Sequence, residues 1–73
     1  MDNLGAQLKS FRQSQGFTQK QVAEGIGIAE QAYQRYEYGK IVPSALVLIA
    51  IADFYKVPLD DLVGRSLHNQ SQS

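Results

Sequence analysis

Apolar residues recur at helical spacing along most of the chain. Leu4, Leu8 and Phe11, with Gln7, Lys9 and Gln13 between them, predict a first helix over residues 3 to 15, stopped by Gly16. Thr18 then stands as an N-cap whose hydroxyl accepts from the next backbone donors. Gln21 completes a capping box and Phe17 a hydrophobic staple, so a short second helix is predicted over 19 to 25. Gly25 and Gly27 bracket Ile26, and glycine enters the left-handed region without steric cost, so the chain turns sharply there. A third helix is predicted from Ala29 or Glu30 to Tyr38, ended by Gly39. Ser44 caps a fourth running to Tyr55, and "LDDLVG" forms one or two turns of a fifth, whose Asp60 and Asp61 complement its N-terminal dipole. Nothing alternates with the period of a strand. The pattern predicts an all-α fold of five helices, with a polar, disordered tail over 65 to 73.

Two of these helices have unusual faces. On a wheel at 100° per residue, the third puts Ala29, Ala32, Tyr33 and Tyr36 on one side and Glu30, Gln31, Gln34, Arg35 and Tyr38 on the other. The first set reads as core. The second carries amides and a guanidinium where a solvated face normally carries lysine and glutamate, and these groups make bidentate contacts to base edges, Arg to guanine and Gln to adenine. The fourth helix is apolar all round. Ala45, Leu48, Ile49, Ala52 and Tyr55 form the expected core stripe, while Leu46, Val47, Ala50 and Phe54 lie opposite. That second stripe, Leu46, Ala50 and Phe54 with Leu59, Leu62 and Val63, predicts a homodimer interface; the competing expectation is that Phe54 and Leu46 fold under helices 1 and 5 of the same chain.

At 73 residues the chain has the size of one domain, which buries only roughly 60% of the surface its unfolded form exposes. It has no cysteine, so neither a disulfide nor a thiolate metal site adds to that thin core. "MDNLGAQLKS" lacks the pattern of a signal peptide, and the apolar run "ALVLIAIA" is far shorter than the roughly 20 residues that span a bilayer, so a cytoplasmic location without membrane attachment is expected. Seven basic residues balance seven acidic ones. Lys20, Arg35 and Lys40 fall around helices 2 and 3, however, and Asp53, Asp60 and Asp61 fall in helices 4 and 5. The single histidine, His68, lies in the tail, and no nucleophile-and-base set or metal-ligand spacing is visible, which argues against catalysis and against any cofactor or metal.

Over residues 4 to 64 the chain resembles the Cro and phage-repressor type of helix-turn-helix regulators, the XRE family. "TQKQVAEGIGIAEQAYQRYEYGK" carries its Thr-Gln, small residue, glycine, aliphatic residue, "YE" and "GK", and "P…ALVLIAIADFYKVPLDDLVGR" its proline loop, fourth helix and closing "LDDLVG". The resemblance implies a five-helix lambda-repressor-like domain over 1 to 64, with the helix-turn-helix at about 18 to 38. It implies that Ala23 permits a close helix crossing, that Val22, Ile26 and Ile28 fill the wedge between helices, and that Arg12 and Glu37 form a buried ion pair. It places Thr18, Gln19 and Lys20, together with Tyr38 and Lys40, at DNA phosphates, and Glu30, Gln31, Gln34 and Arg35 at base edges. Three positions depart from the pattern. Ala29 has no side-chain cap; Glu30, often glutamine in the family, accepts from cytosine N4 but repels phosphate; and Gly25 weakens helix 2. The implied function is a homodimeric repressor, bacterial or phage-derived, that binds a pseudo-palindromic operator in double-stranded DNA without a small-molecule ligand. The alternative is a protein-interaction adaptor or antitoxin-like partner on the same fold.

Overall fold

The computed structural model of the chain describes residues 4–63; the expected tail lies outside them. Five helices follow one another: α1 (Leu4–Ser14), α2 (Gln19–Ile26), α3 (Glu30–Glu37), α4 (Ala45–Tyr55) and α5 (Leu59–Leu62). The all-α expectation therefore holds, and the predicted boundaries agree to within a residue or two. Helix α3 packs on α1 and α2, α4 packs on α2, and α5 closes the far side against α1 and α4.

Local chemistry explains the ends. Thr18 Oγ1 accepts from the Gln21 amide at 3.0 Å, and Gln21 Oε1 accepts from the Thr18 amide at 2.9 Å, so the capping box is complete. At the other end of α2, Gly27 takes φ 79°, which lets Ile28 N–H donate back to the Ala23 carbonyl at 3.0 Å and aims the chain into α3. Ser44 Oγ caps α4 through the Val47 amide at 3.3 Å. Helix α3 begins on Ala29 without a side-chain cap. Helix α4 ends on Lys56, which adopts the left-handed conformation at φ 61°, a role usually filled by glycine.

Leu8, Val22, Ala23, Tyr33, Ile51, Ala52, Tyr55 and Leu62 form the buried core. Tyr33 and Tyr55 satisfy one another there, hydroxyl to hydroxyl at 2.8 Å, which removes the cost of burying either phenol alone. Phe54 stacks at a tilt on Phe17, with centroids 4.8 Å apart, and meets Tyr55 edge-on at 5.5 Å.

Three expectations about α4 and α5 are corrected by this packing. The inward stripe of α4 runs through Val47, Leu48, Ile51, Ala52, Phe54 and Tyr55, whereas Ile49 is 46% exposed and Ala45 is exposed, because α4 is rotated so that Leu46, Ile49 and Asp53 face outward. Leu62, assigned above to a dimer interface, is fully buried under this chain's own α1 and α4 and has no surface to give a partner. Phe54, assigned there too, packs inside the chain, and Gly25 is the reason. A β-carbon at Gly25 would overlap the Phe54 ring, so the glycine that looked like a weak point in α2 is the seat of that ring.

Candidate nucleic-acid interface

The pattern of α3 divides its residues by face. Tyr33 (0% exposed) and Glu37 (8%) are buried, Ala32 and Tyr36 are half-buried, and Gln31, Arg35 and Glu30 are exposed, as is Tyr38 just beyond the helix end. Gln34 is half-buried at the edge of the outer face. Ala29, expected inside, is exposed at the N-cap. The recognition-type positions thus share one side of a helix whose other side is pinned to α1 and α2.

The pin at its C-terminal end is ionic. Arg12 Nε donates to Glu37 Oε2 at 2.6 Å and Nη2 donates to Oε1 at 3.1 Å, while Nη1 reaches the Phe17 carbonyl at 3.1 Å. The side chains are 13% and 1% exposed. Burial works against the charge on Glu37, yet the hydrogen bonds from Arg12 and Gln19 outweigh it and hold the carboxyl below its ordinary range. The hydrogen bond to Glu37 raises the Arg12 pKa in turn, so both partners stay charged. Burial pushes the Tyr33 and Tyr55 phenols up, so both stay protonated at neutral pH. This fork ties α1 to the end of α3 and, through the carbonyl of Phe17, to the loop before α2.

Gln19 joins the same cluster. Its Nε2 donates to Glu37 Oε1 at 3.0 Å, which orients the carboxamide and leaves its second amide hydrogen and the backbone N–H at the start of α2 for a ligand. The amides of Gln19 and Lys20 precede the first helical bond of α2, Val22 N–H to the Thr18 carbonyl, and are free of that ladder. Lys20 and Lys40 are exposed on the flanking segments.

Helix α1, the start of α2 and α3 enclose a surface depression of about 450 Å³, lined among others by Lys9, Arg12, Thr18, Gln19, Glu30 and Tyr38. Sequence reasoning missed Lys9. The signal was available, since Lys9 stands three residues before Arg12 and therefore on the same face of α1. The depression brings two cations, Lys9 and Arg12, together with two carboxylates, Glu30 and Glu37. Among the described residues no three of His, Cys, Asp or Glu come together in a way that would hold a metal ion, and no helix is long and apolar enough to cross a membrane.

A capped helix, a glycine turn and a second helix pinned so that its polar face points outward define the helix-turn-helix class. The chain belongs to that family, the XRE-type regulators: the family described as Helix-turn-helix matches residues 8–62. It is 35% identical over 65 residues to the cryptic phage CTXphi transcriptional repressor RstR of Vibrio cholerae, covering 89% of this chain and 58% of that protein. It is 36% identical over 60 residues to the SPbeta prophage-derived regulator YonR of Bacillus subtilis, covering 82% and 56%. The uncharacterized regulator YazB of the same organism is 31% identical over 58 residues, covering 80% of this chain and 84% of that one. The chain spans little more than half the length of the phage-related relatives it matches. No solved structure matches it. The relatives are named as transcriptional regulators and not as enzymes.

Proposed function

We propose that this domain reads double-stranded DNA as a homodimer on a pseudo-palindromic operator and represses transcription from it, in the cytoplasm of a bacterium. The observation that carries the reading is the division of α3, whose inner face is buried and pinned while Gln31, Gln34, Arg35 and Glu30 line its outer edge beside the capped start of α2. An α-helix fits the major groove, where Arg and Gln match the acceptor and donor pattern of guanine and adenine. Thr18, the Gln19 and Lys20 amides, Tyr38 and Lys40 would then lie against phosphates and fix the register. Repression is the activity named for RstR, and the prophage origin named for YonR gives the setting.

Two-fold pairing is supported by the apolar surface that the rotation of α4 leaves outside: Val42 and Leu46 are each 79% exposed, and Ile49 and Leu59 are exposed as well. This replaces Leu62 and Phe54 with Val42 and Ile49 in the interface, and leaves Leu46, Ala50, Leu59 and Val63 in place. The same surface favours a second reading, an adaptor that docks another protein there and ignores DNA.

Titrating a duplex with the wild-type chain, Arg35→Ala and Lys40→Ala across a salt series separates the readings. A reader with Lys20 and Lys40 at phosphates in each copy shows log K falling against log salt with a slope of about −4. Arg35→Ala loses about 1 to 3 kcal/mol and relaxes the preference at one base pair, while Lys40→Ala weakens all sequences alike and flattens the slope. An adaptor shows no sequence preference, and both variants behave as wild type.

A further inference from the structure

We infer that Gly5 is a positioning residue for DNA reading: by letting α1 seat directly on the last backbone carbonyls of α3, it sets the tilt of that helix and so the place of Arg35 in the major groove. The inference rests on the DNA-reading proposal above and deepens it. A β-carbon at Gly5 would overlap the Glu37 carbonyl oxygen and stand 2.9 Å from the carbonyl oxygen of Tyr36. Both obstacles are backbone, which cannot swing aside as a flexible side chain does, so any larger residue here forces the two helices apart by about 1 Å. Arg12 stands two turns further on the same face of α1 and holds the carboxylate of the same Glu37, through Nε at 2.6 Å and Nη2 at 3.1 Å. Glu37 is thus gripped twice by α1, at its backbone and at its side chain. Leu8, fully buried between these two contacts, keeps α1 itself in the core.

The rest of α3 is fixed by different bonds. Ile28 N–H donates to the Ala23 carbonyl at 3.0 Å just before the helix, and the Tyr33 hydroxyl meets that of Tyr55 at 2.8 Å in its middle. A push at the Glu37 end therefore pivots the helix, moving Arg35 and leaving Gln31, near the pivot, almost in place. The following loop moves too, because Lys40 N–H donates to the Arg35 carbonyl at 2.9 Å. The outer residues do not tolerate such a shift equally. The paired hydrogen bonds from a guanidinium to guanine form only over about 2.7 to 3.2 Å, so a displacement of about 1 Å breaks at least one of them. Lys40 is a point charge on a flexible stem and keeps its phosphate. Loss of Gly5 thus erases sequence preference from the C-terminal end of α3 first and spares the affinity that any duplex receives.

The test is selection from a random duplex library by the full chain and by Gly5→Ala, Arg12→Lys and Ile51→Val, each at a temperature where circular dichroism shows it folded, with a salt series on a scrambled duplex. Ile51→Val removes one methyl group from the buried side of α4 and is the control for lost stability alone. Gly5→Ala should lose about tenfold of the preference for guanine opposite Arg35, keep the preference opposite Gln31 to within about twofold, and leave the salt slope unchanged. Arg12→Lys keeps the charge but not the fork and should show the same order of loss. Ile51→Val should lose neither preference. If Gly5→Ala enriches the same bases as wild type at every position, α1 yields in place of α3, Gly5 serves the fold alone and the inference is overturned. Equal losses opposite Arg35 and Gln31, or a matching loss in Ile51→Val, overturn it as well. Should Gly5→Ala not fold, Arg12→Lys decides, and an unchanged preference opposite Arg35 overturns the inference. If the wild type enriches nothing, the reading of DNA fails and takes this inference with it.

Discussion

Replacing Arg12 with alanine should come close to unfolding the domain. The guanidinium gives two hydrogen bonds to a carboxylate whose side chain is 1% exposed, and a third to the Phe17 carbonyl. Without it, Glu37 keeps only the Gln19 amide at 3.0 Å. Breaking a buried pair by removing one partner costs about 3 to 5 kcal/mol, because the other charge stays behind uncompensated. Native domains hold about 0.05 to 0.15 kcal/mol per residue, so a chain of this length has only about 4 to 11 kcal/mol in all. Urea unfolding followed by circular dichroism at pH 7 measures the loss. The companion is the double variant Arg12→Met/Glu37→Leu, which removes both charges and keeps most of the volume; it should regain most of the stability, since well-packed apolar replacements of buried pairs are often neutral or better. A loss below about 1 kcal/mol for Arg12→Ala, or a double variant no more stable than the single one, would refute the reasoning.

Glu37 predicts an acid limit. Its folded pKa is depressed, so the stability it contributes is complete above the ordinary carboxylate value of about 4.3 and is lost as pH falls below that toward the folded value. Urea midpoints should hold between neutrality and about pH 5, then drop, and the drop should be shallower in the double variant. Gly25→Ala sets two effects against each other: alanine favours the helix by about 1 kcal/mol, but its β-carbon displaces the Phe54 ring from Phe17 at a cost of about 1 to 3 kcal/mol, so calorimetry should show a lower Tm despite the better helix former. Leu46→Lys changes a side chain that is 79% exposed, so the variant should melt within about 0.5 kcal/mol of wild type while sedimentation shows the dimer replaced by monomer; unchanged assembly would remove Leu46 from the interface.

The helices were legible because their signals are local. Thr18 with Gln21, Gly27 and Ser44 each announce a boundary within four residues, and each forms the bond its type suggests. Most of the inner face of α3 was legible too, since Ala32, Tyr33 and Tyr36 recur at helical period, although Ala29 is exposed, and the buried Glu37 was implied by the family resemblance. The rotation of α4 was not. Asp53 is the helix's one charged residue and marks the outward side, but the apolar residues around it outweigh that signal, and the choice is made by tertiary contacts: Gly25 opens a seat for Phe54, and Ile51 and Tyr55 follow it inward. The same limit hid Gly5, whose missing side chain lets α1 approach the backbone at the end of α3, and Lys56, which takes a left-handed conformation by context and not by type. At the candidate interface, residue types pointed to Gln31, Gln34 and Arg35. Which amides hydrogen-bond within the chain, Gln19 to Glu37 and Gln34 to Glu30, depends on side chains from other turns or helices and needed coordinates.

The central claim is that the outer face of α3 reads DNA sequence in two-fold symmetric pairs. Selection of bound duplexes from a random library by the wild-type chain tests it most directly. The account predicts recovery of an inverted repeat whose half-site centres lie about 34 Å apart, or a multiple of that, with guanine opposite Arg35 in each half. A recovered pool as random as the input, at a salt concentration where the chain is folded, would contradict it.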